Sequence, residues 1–297
     1  MESSQVKTAL VLSGGGSKGA FQLGALEVLT ETGLTFDCVA GVSVGALNGA
    51  MVAAHQLERL GDIWRTIKRR DVYTGTWPWV LFRAVAGRKG LFDNSPLLEL
   101  IREEVDPDGI DIPLEIGVVQ MESGKYFTVD PSSLHFKRLL FASTTIPIVW
   151  PPHELGNEFF VDGGVRNITP LGDVIQYDPR RIVIITTEPR DKPPATRSPS
   201  NIVDVAQRTL DIILDETFQN DIRTFLRIND LVRQAGEDDV VLRRPSGEPY
   251  VAYEHLIIEP EEPLGSGLDF ERDQLDAWIA AGRAAAEEAV ETIDPPT

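Results

Sequence analysis

The segment Gly41-Val42-Ser43-Val44-Gly45 follows a short apolar run, Phe36 to Ala40, and precedes a helical run from Ala46 to about Gln56. Strand, Gly-x-Ser-x-Gly, helix is the context in which this motif reads as a nucleophile elbow. Gly41 and Gly45 allow a turn sharp enough to project the Ser43 hydroxyl. Ser43 then stands at a helix N-terminus, where free N–H groups and the helix dipole favour a developing anion. Glycine and serine also build ordinary turns, so the motif alone does not establish a nucleophile.

The same alternation of strand and helix runs along the chain. Thr8 to Leu12 is a continuous apolar run, as a buried parallel strand requires, and a helix carrying Ala20, Leu23 and Leu26 closes near Gly33. Leu57 to about Arg70 reads as a helix, residues 71–95 as irregular, and Asn94 or Ser95 before Pro96 as the start of another helix. Leu114 to Met121 and Tyr126 to Val129 read as a hairpin. A helix is predicted from Ser132 or Ser133 to about Ser143, broken by Pro147 to Pro152. Phe159 to Val161 and Arg181 to Thr187 read as further strands, and Pro189 to Ser200 as a loop. A long helix from Ile202 to about Val232, a strand over Tyr250 to Ile258 and an acidic helix over Phe270 to Thr292 complete the chain. The expectation is an α/β fold with a central, mainly parallel sheet covered on both faces, forming one domain over residues 1–297.

Gly14-Gly15-Gly16-Ser17-Lys18-Gly19 lies between the first strand and its helix. It satisfies a dinucleotide fingerprint, but the acid that reading needs, Asp37, starts the second strand instead of ending it. Ala20 stands where a phosphate-loop lysine would be. The other reading is an oxyanion hole built from glycine N–H groups. A serine nucleophile also needs a base. His55, His135, His153 and His255 stand in no distinctive setting, although His255 has the chain order of a Ser–acid–His triad. Asp162 ends an apolar run and is followed by Gly163 and Gly164, which leave its carboxylate unobstructed at the sheet edge.

Leu10 to Gln22 resembles the opening block of the bacterial patatin-like phospholipases, and Gly41 to Asn48 resembles their serine block. Ala142-Ser143-Thr144-Thr145-Ile146-Pro147 is similar to the third block and Asp162-Gly163-Gly164 to the fourth. The resemblance implies the family's three-layer α/β/α fold and no cofactor or metal. It also implies a Ser–Asp dyad, with Ser43 as nucleophile and Asp162 as proton acceptor. The oxyanion hole would fall to Gly14, Gly15 and Gly16, chiefly the last two, with Val44 added by the elbow geometry. Lys18 stands where arginine is commoner, and Val44 where alanine is. The activity implied is hydrolysis of lipid acyl esters, of phospholipase A or lysophospholipase type. The other readings are acyl transfer through the same intermediate, against which Val42 in place of histidine counts, and a catalytically silent lipid-binding regulator.

The net charge of −18 argues against nucleic-acid binding, which needs phosphate neutralisation. Residues 65–92 run against that balance, with seven basic side chains facing only Asp71. Trp77, Trp79 and Phe82 are interleaved among them, as in a face that meets anionic lipid. The acidic start Met1 to Gln5, the lone Cys38 and the lack of an apolar stretch near ~20 residues lead us to expect a soluble, cytoplasmic protein, peripheral at a membrane surface.

Overall fold

The computed structural model describes residues 7–75, 89–191 and 202–291. Trp77, Trp79, Phe82, Arg83 and Arg88 of the expected lipid face, and most of the predicted 189–200 loop, lie outside the described residues. The elements in chain order are β1 (Thr8–Leu12), α1 (Gly19–Glu31), β2 (Cys38–Val42), α2 (Val44–Ala53), α3 (Leu57–Thr66), α4 (Arg69–Val72) and α5 (Ser95–Glu104). They continue with β3 (Leu114–Gln120), β4 (Tyr126–Val129), α6 (Phe136–Ser143), β5 (His153–Leu155), β6 (Glu158–Asp162) and α7 (Leu171–Val174). The last are β7 (Arg181–Ile185), α8 (Ile202–Glu237), β8 (Glu254–Ile258) and α9 (Arg272–Val290).

The strands form one sheet in the order β5-β6-β3-β2-β1-β7-β8, with β4 paired to β3. From β3 to β8 every pairing is parallel, while β4, β5 and β6 add antiparallel pairs. The period of two along each strand sorts the side chains into two cores. Leu10, Leu12, Val39, Val183 and Ile185 point to the layer holding α1, α2 and α9. Ala9, Val11, Cys38, Ala40, Ile182 and Ile184 point to the opposite layer, with Phe218, Ile222 and Phe225 of α8. The fold is therefore a three-layer α/β/α sandwich with a mainly parallel sheet. Helix α1 is buried from Gly19 to Ala25 because α9 covers its outer side. A Cβ at Gly282 would fall 1.9 Å from the Phe21 carbonyl oxygen, so the two backbones nearly touch.

Several boundaries differ from the sequence reading. The second strand spans Cys38–Val42, later than Phe36 to Ala40, because Gly41 and Val42 pair with Ile116 and Gly117 of β3. Only Ser43 is left for the turn. The helix expected to Arg70 ends at Thr66. There Ile67 turns extended, and Asp71 captures the Lys68 N–H at 2.9 Å to start α4. Helix α6 begins at Phe136, not Ser132. The Asp130 carboxylate accepts from the Ser132 N–H at 2.8 Å and the Ser133 hydroxyl from the His135 N–H at 3.3 Å, local bonds that compete with helix. Strand β8 starts at Glu254 instead of Tyr250, the Tyr253 N–H being taken by Asn229 at 3.0 Å.

Candidate active site

Three parallel strands, β1, β2 and β3, end side by side, and the residues following β1 and β2 converge with the end of antiparallel β6. Ser43 occupies the turn between β2 and α2 with φ 57° and ψ −128°, a conformation that costs a non-glycine residue roughly 1–3 kcal/mol. Its neighbours must be small. A Cβ on Gly41 would lie 2.3 Å from the Gly45 carbonyl oxygen, and one on Gly45 2.3 Å from that of Leu12. The Ser43 N–H donates to Oγ of Ser143 at 3.0 Å, and that hydroxyl donates to the Gly117 carbonyl of β3 at 2.7 Å.

Asp162 reaches Ser43 because β6 runs antiparallel to β3, which sets Asp162 opposite Val118. Its N–H donates to the Thr145 carbonyl at 3.1 Å, and its Oδ1 accepts from the Gly164 N–H at 2.8 Å. Gly163 packs on the Gly117 carbonyl, where a Cβ would come within 2.4 Å. The Ser43 hydroxyl lies close enough to the same carboxylate to favour its charged form. Burial pushes the Asp162 carboxyl up to about 7, against the pull of the Gly164 N–H and the Ser43 hydroxyl. A carboxylate in that range can accept a proton near neutral pH.

The glycine loop faces the pair. Gly14 packs on Ser43, but its N–H is committed to the Ile168 carbonyl at 3.1 Å, which removes Gly14 from the expected set of oxyanion donors. Among the described residues the N–H groups of Gly15, Gly16 and Val44 have no hydrogen-bond partner. Gly16 adopts φ +62°, and a Cβ there would sit 2.2 Å from the Gly267 carbonyl oxygen. Thr187 closes the other side, its hydroxyl donating to the Gly14 carbonyl at 2.6 Å. Behind the loop, at the start of α1 beside Gly19, Lys18 forms an ion pair with Glu188. Asn48 ties the two loops together. It donates to the Gly19 carbonyl at 3.1 Å and to Gln22 at 2.9 Å, and accepts from the Trp64 indole at 2.9 Å.

A cavity of about 90 Å³ opens at Ser43 and is lined almost wholly by apolar side chains, among them Leu47, Met51, Trp64, Leu97, Ile101 and Phe270. The histidines are engaged elsewhere. His55 pairs with Asp111 at 2.9 Å, His135 precedes α6, His153 lies against Arg138, and His255 contacts Asn229 and Phe225. Asp37 holds the Thr8 N–H at 2.7 Å, at the sheet edge opposite the glycine loop. Among the described residues no group of three or more His, Cys, Asp or Glu side chains is placed to hold a metal ion.

Ser143, Thr187, Glu188 and Gly267 are absent from the sequence-based set of site residues. Ser143 lies within the block Ala142 to Pro147 and was accessible as a motif member. The other three are brought in from distant chain segments and carry no local signal.

A family model for patatin-like phospholipases matches residues 10–175. The chain belongs to the patatin-like phospholipase family. Among the relatives, an uncharacterised NTE family protein of Mycobacterium tuberculosis is 24% identical over 205 residues, covering 67% of this chain and 54% of the relative. The chain thus spans about half the length of that relative. YqhO of Bacillus subtilis is 26% identical over 211 residues, covering 61% of this chain and 72% of YqhO. Lysophospholipase NTE1 of Cryptococcus neoformans is 25% identical over 204 residues, 61% of this chain and 12% of that protein. The crystal structure of VipD from Legionella pneumophila aligns with a TM-score of 0.45 at 12% identity, over 97% of this chain and 67% of VipD.

Proposed function

We propose that this protein hydrolyses fatty-acyl esters of phospholipids or lysophospholipids through a Ser43 acyl-enzyme. The observation that carries the reading is the buried Asp162 carboxyl, set beside the Ser43 hydroxyl and raised to about 7. Asp162 accepts the Ser43 proton as Oγ attacks the ester carbonyl. The resulting oxyanion lies among the free N–H groups of Gly15, Gly16 and Val44. Collapse breaks the ester C–O bond, and Asp162 returns the proton to the leaving alcohol. Water then attacks the acyl-enzyme and gives a proton to Asp162. The fatty acid departs and the proton returns to Ser43. The apolar cavity at Ser43 supports a hydrocarbon chain as the acyl group, and a relative named a lysophospholipase supports the lipid class. The described elements act in this reading as one acyl-hydrolase domain.

Turnover of a short-chain nitrophenyl ester tests it. Ser43→Ala and Asp162→Asn are expected to abolish hydrolysis, and a fluorophosphonate probe to label wild type but not Ser43→Ala. Activity that survives Ser43→Ala would overturn the assignment.

The same reading includes contact with an anionic lipid surface through residues 65–92. In the described part, Arg65 pairs with Glu27, Arg70 with Asp71, and Lys89 sits 3.6 Å from the Phe159 ring centroid. No described helix is long and apolar enough to cross a membrane. Flotation with phosphatidylserine vesicles tests the contact, since Lys/Arg→Glu changes in this segment must weaken it.

A further inference from the structure

The cavity that begins at Ser43 has a direction. Leu47, Asn48 and Met51 line it along α2, which runs away from the serine. At a rise of 1.5 Å per residue, Met51 lies about 12 Å along the axis from Ser43. Helix α3 runs the opposite way beside it. Trp64, near the C-terminal end of α3, is hydrogen-bonded to Asn48 in the first half of α2. Leu60 and Arg59, one turn or more earlier in α3, therefore lie farther from Ser43.

At that far end the lining changes character. Glu104, in the last turn of α5, is the one charged residue in the cavity wall among the described residues. Arg59 Nε donates to its Oε2 at 2.8 Å, and a guanidinium nitrogen donates to Oε1, a two-pronged pair. The Arg59 side chain is 52% exposed and that of Glu104 18%, so the pair stands between the apolar cavity and water.

We propose that the Arg59–Glu104 pair is the stop that sets acyl-chain length in this cavity. A chain that fits short of it meets only hydrocarbon. A longer one must press its methyl end against two charges, which resist losing their water and each other. Roughly nine zigzag carbons, at about 1.3 Å of advance each, span the ~12 Å from Ser43 to the level of Met51, the α2 residue of the wall farthest from the serine. Glu104 is thereby a specificity-determining residue.

The test uses the full chain and has two arms, of which only the second rests on the hydrolase reading. Trp64 and Trp150 line the cavity, so quenching of their fluorescence reports occupancy by free fatty acids. In wild type, affinity should rise with chain length up to decanoate and then level off to palmitate. In Glu104→Ala, and in the Arg59→Ala/Glu104→Ala double variant, the palmitate-to-decanoate affinity ratio should rise at least about tenfold, since each buried methylene is worth about 0.8 kcal/mol. The second arm measures the same ratio as Ser43-dependent turnover of nitrophenyl palmitate and decanoate. Wild-type affinity that climbs steadily to palmitate, ratios unchanged within about twofold in both variants, or no quenching by any acid overturns the proposal. If binding behaves as expected while no Ser43-dependent turnover exists, the stop stands and the hydrolase reading falls.

Discussion

The backbone N–H of Ser43 donates to the hydroxyl of Ser143 at 3.0 Å, which joins the strained turn to the end of α6. That hydroxyl in turn donates a hydrogen bond to the Gly117 carbonyl, so the turn is tied through one side chain to the neighbouring strand. Ser143→Ala leaves a buried N–H and a buried carbonyl without partners, at a cost of about 1–3 kcal/mol. The expected outcome is a lower Tm together with a fall in kcat that exceeds any change in KM, because the turn relaxes and Ser43 shifts from the Gly15 and Gly16 N–H groups. Ser143→Cys, which retains a weak donor and acceptor, should recover part of both. A merely structural role would lower Tm and leave the kcat of the folded enzyme intact.

Asp162 makes activity and stability depend on pH in opposite senses. As the proposed base it must be deprotonated, so kcat/KM should rise with pH and level off above about 7. Its folded value is raised above the ordinary 3.8, so the folded state holds the proton more tightly than the unfolded chain. Stability is full below about pH 4 and declines as pH rises to about 7, by an amount on the order of a few kcal/mol. Asp173 and Asp221, both raised to about 6 by burial, bend the wild-type curve in the same direction. Comparison with Asp162→Asn isolates the dyad. The variant should melt above wild type at pH 8, and the gap should close near pH 4. A constant gap across that range would remove the buried-carboxylate account.

Gly16 tolerates no side chain, since its φ is +62° and the carbonyl of Gly267 lies where a Cβ would go. Gly16→Ala must shift the loop and move the proposed oxyanion donors. Loss of one such donor typically costs on the order of 10²–10³ in kcat. Single-turnover kinetics on a nitrophenyl ester would measure it, with the Ser43 labelling rate falling in parallel.

Lys18 and Glu188 sit behind the loop with side chains 11% and 17% exposed. Removing Glu188 leaves the Lys18 charge largely buried, at about 3–5 kcal/mol, whereas removing both costs much less. Glu188→Gln should therefore destabilise more than the Lys18→Met/Glu188→Gln double variant. Urea unfolding of the four proteins in that cycle supplies the comparison; additive losses would show that the pair is not a coupled unit.

The strands were legible wherever burial on both faces leaves a continuous apolar run, as in Thr8–Leu12 and Arg181–Ile185. The positions of Ser43 and Asp162 were legible because each follows such a run and is flanked by glycine. Their meeting was implied only by the family resemblance, for it depends on β6 pairing antiparallel to β3, which no local pattern announces. The end of α3 at Thr66 was hidden because Ile67 continues the helical pattern, and the break is imposed by the capture of Lys68 by Asp71. Gly14 was read with its neighbours as a donor. Only the folded chain brings the Ile168 carbonyl to its N–H.

Gly267 supports the glycine loop from almost the far end of the chain. Its carbonyl accepts the Ser17 N–H at 2.8 Å and fills the space beside Gly16, while the next carbonyl, that of Leu268, accepts the Tyr73 hydroxyl at 2.8 Å. The family model matches no farther than residue 175, yet the loop within that match is held in shape by residues 266 and 267. A fragment cut at that boundary would keep Ser43 and Asp162 and lose the brace that shapes the proposed anion pocket. Transplanting this loop into another scaffold would meet the same obstacle, because its geometry is a property of two chain segments about 250 residues apart.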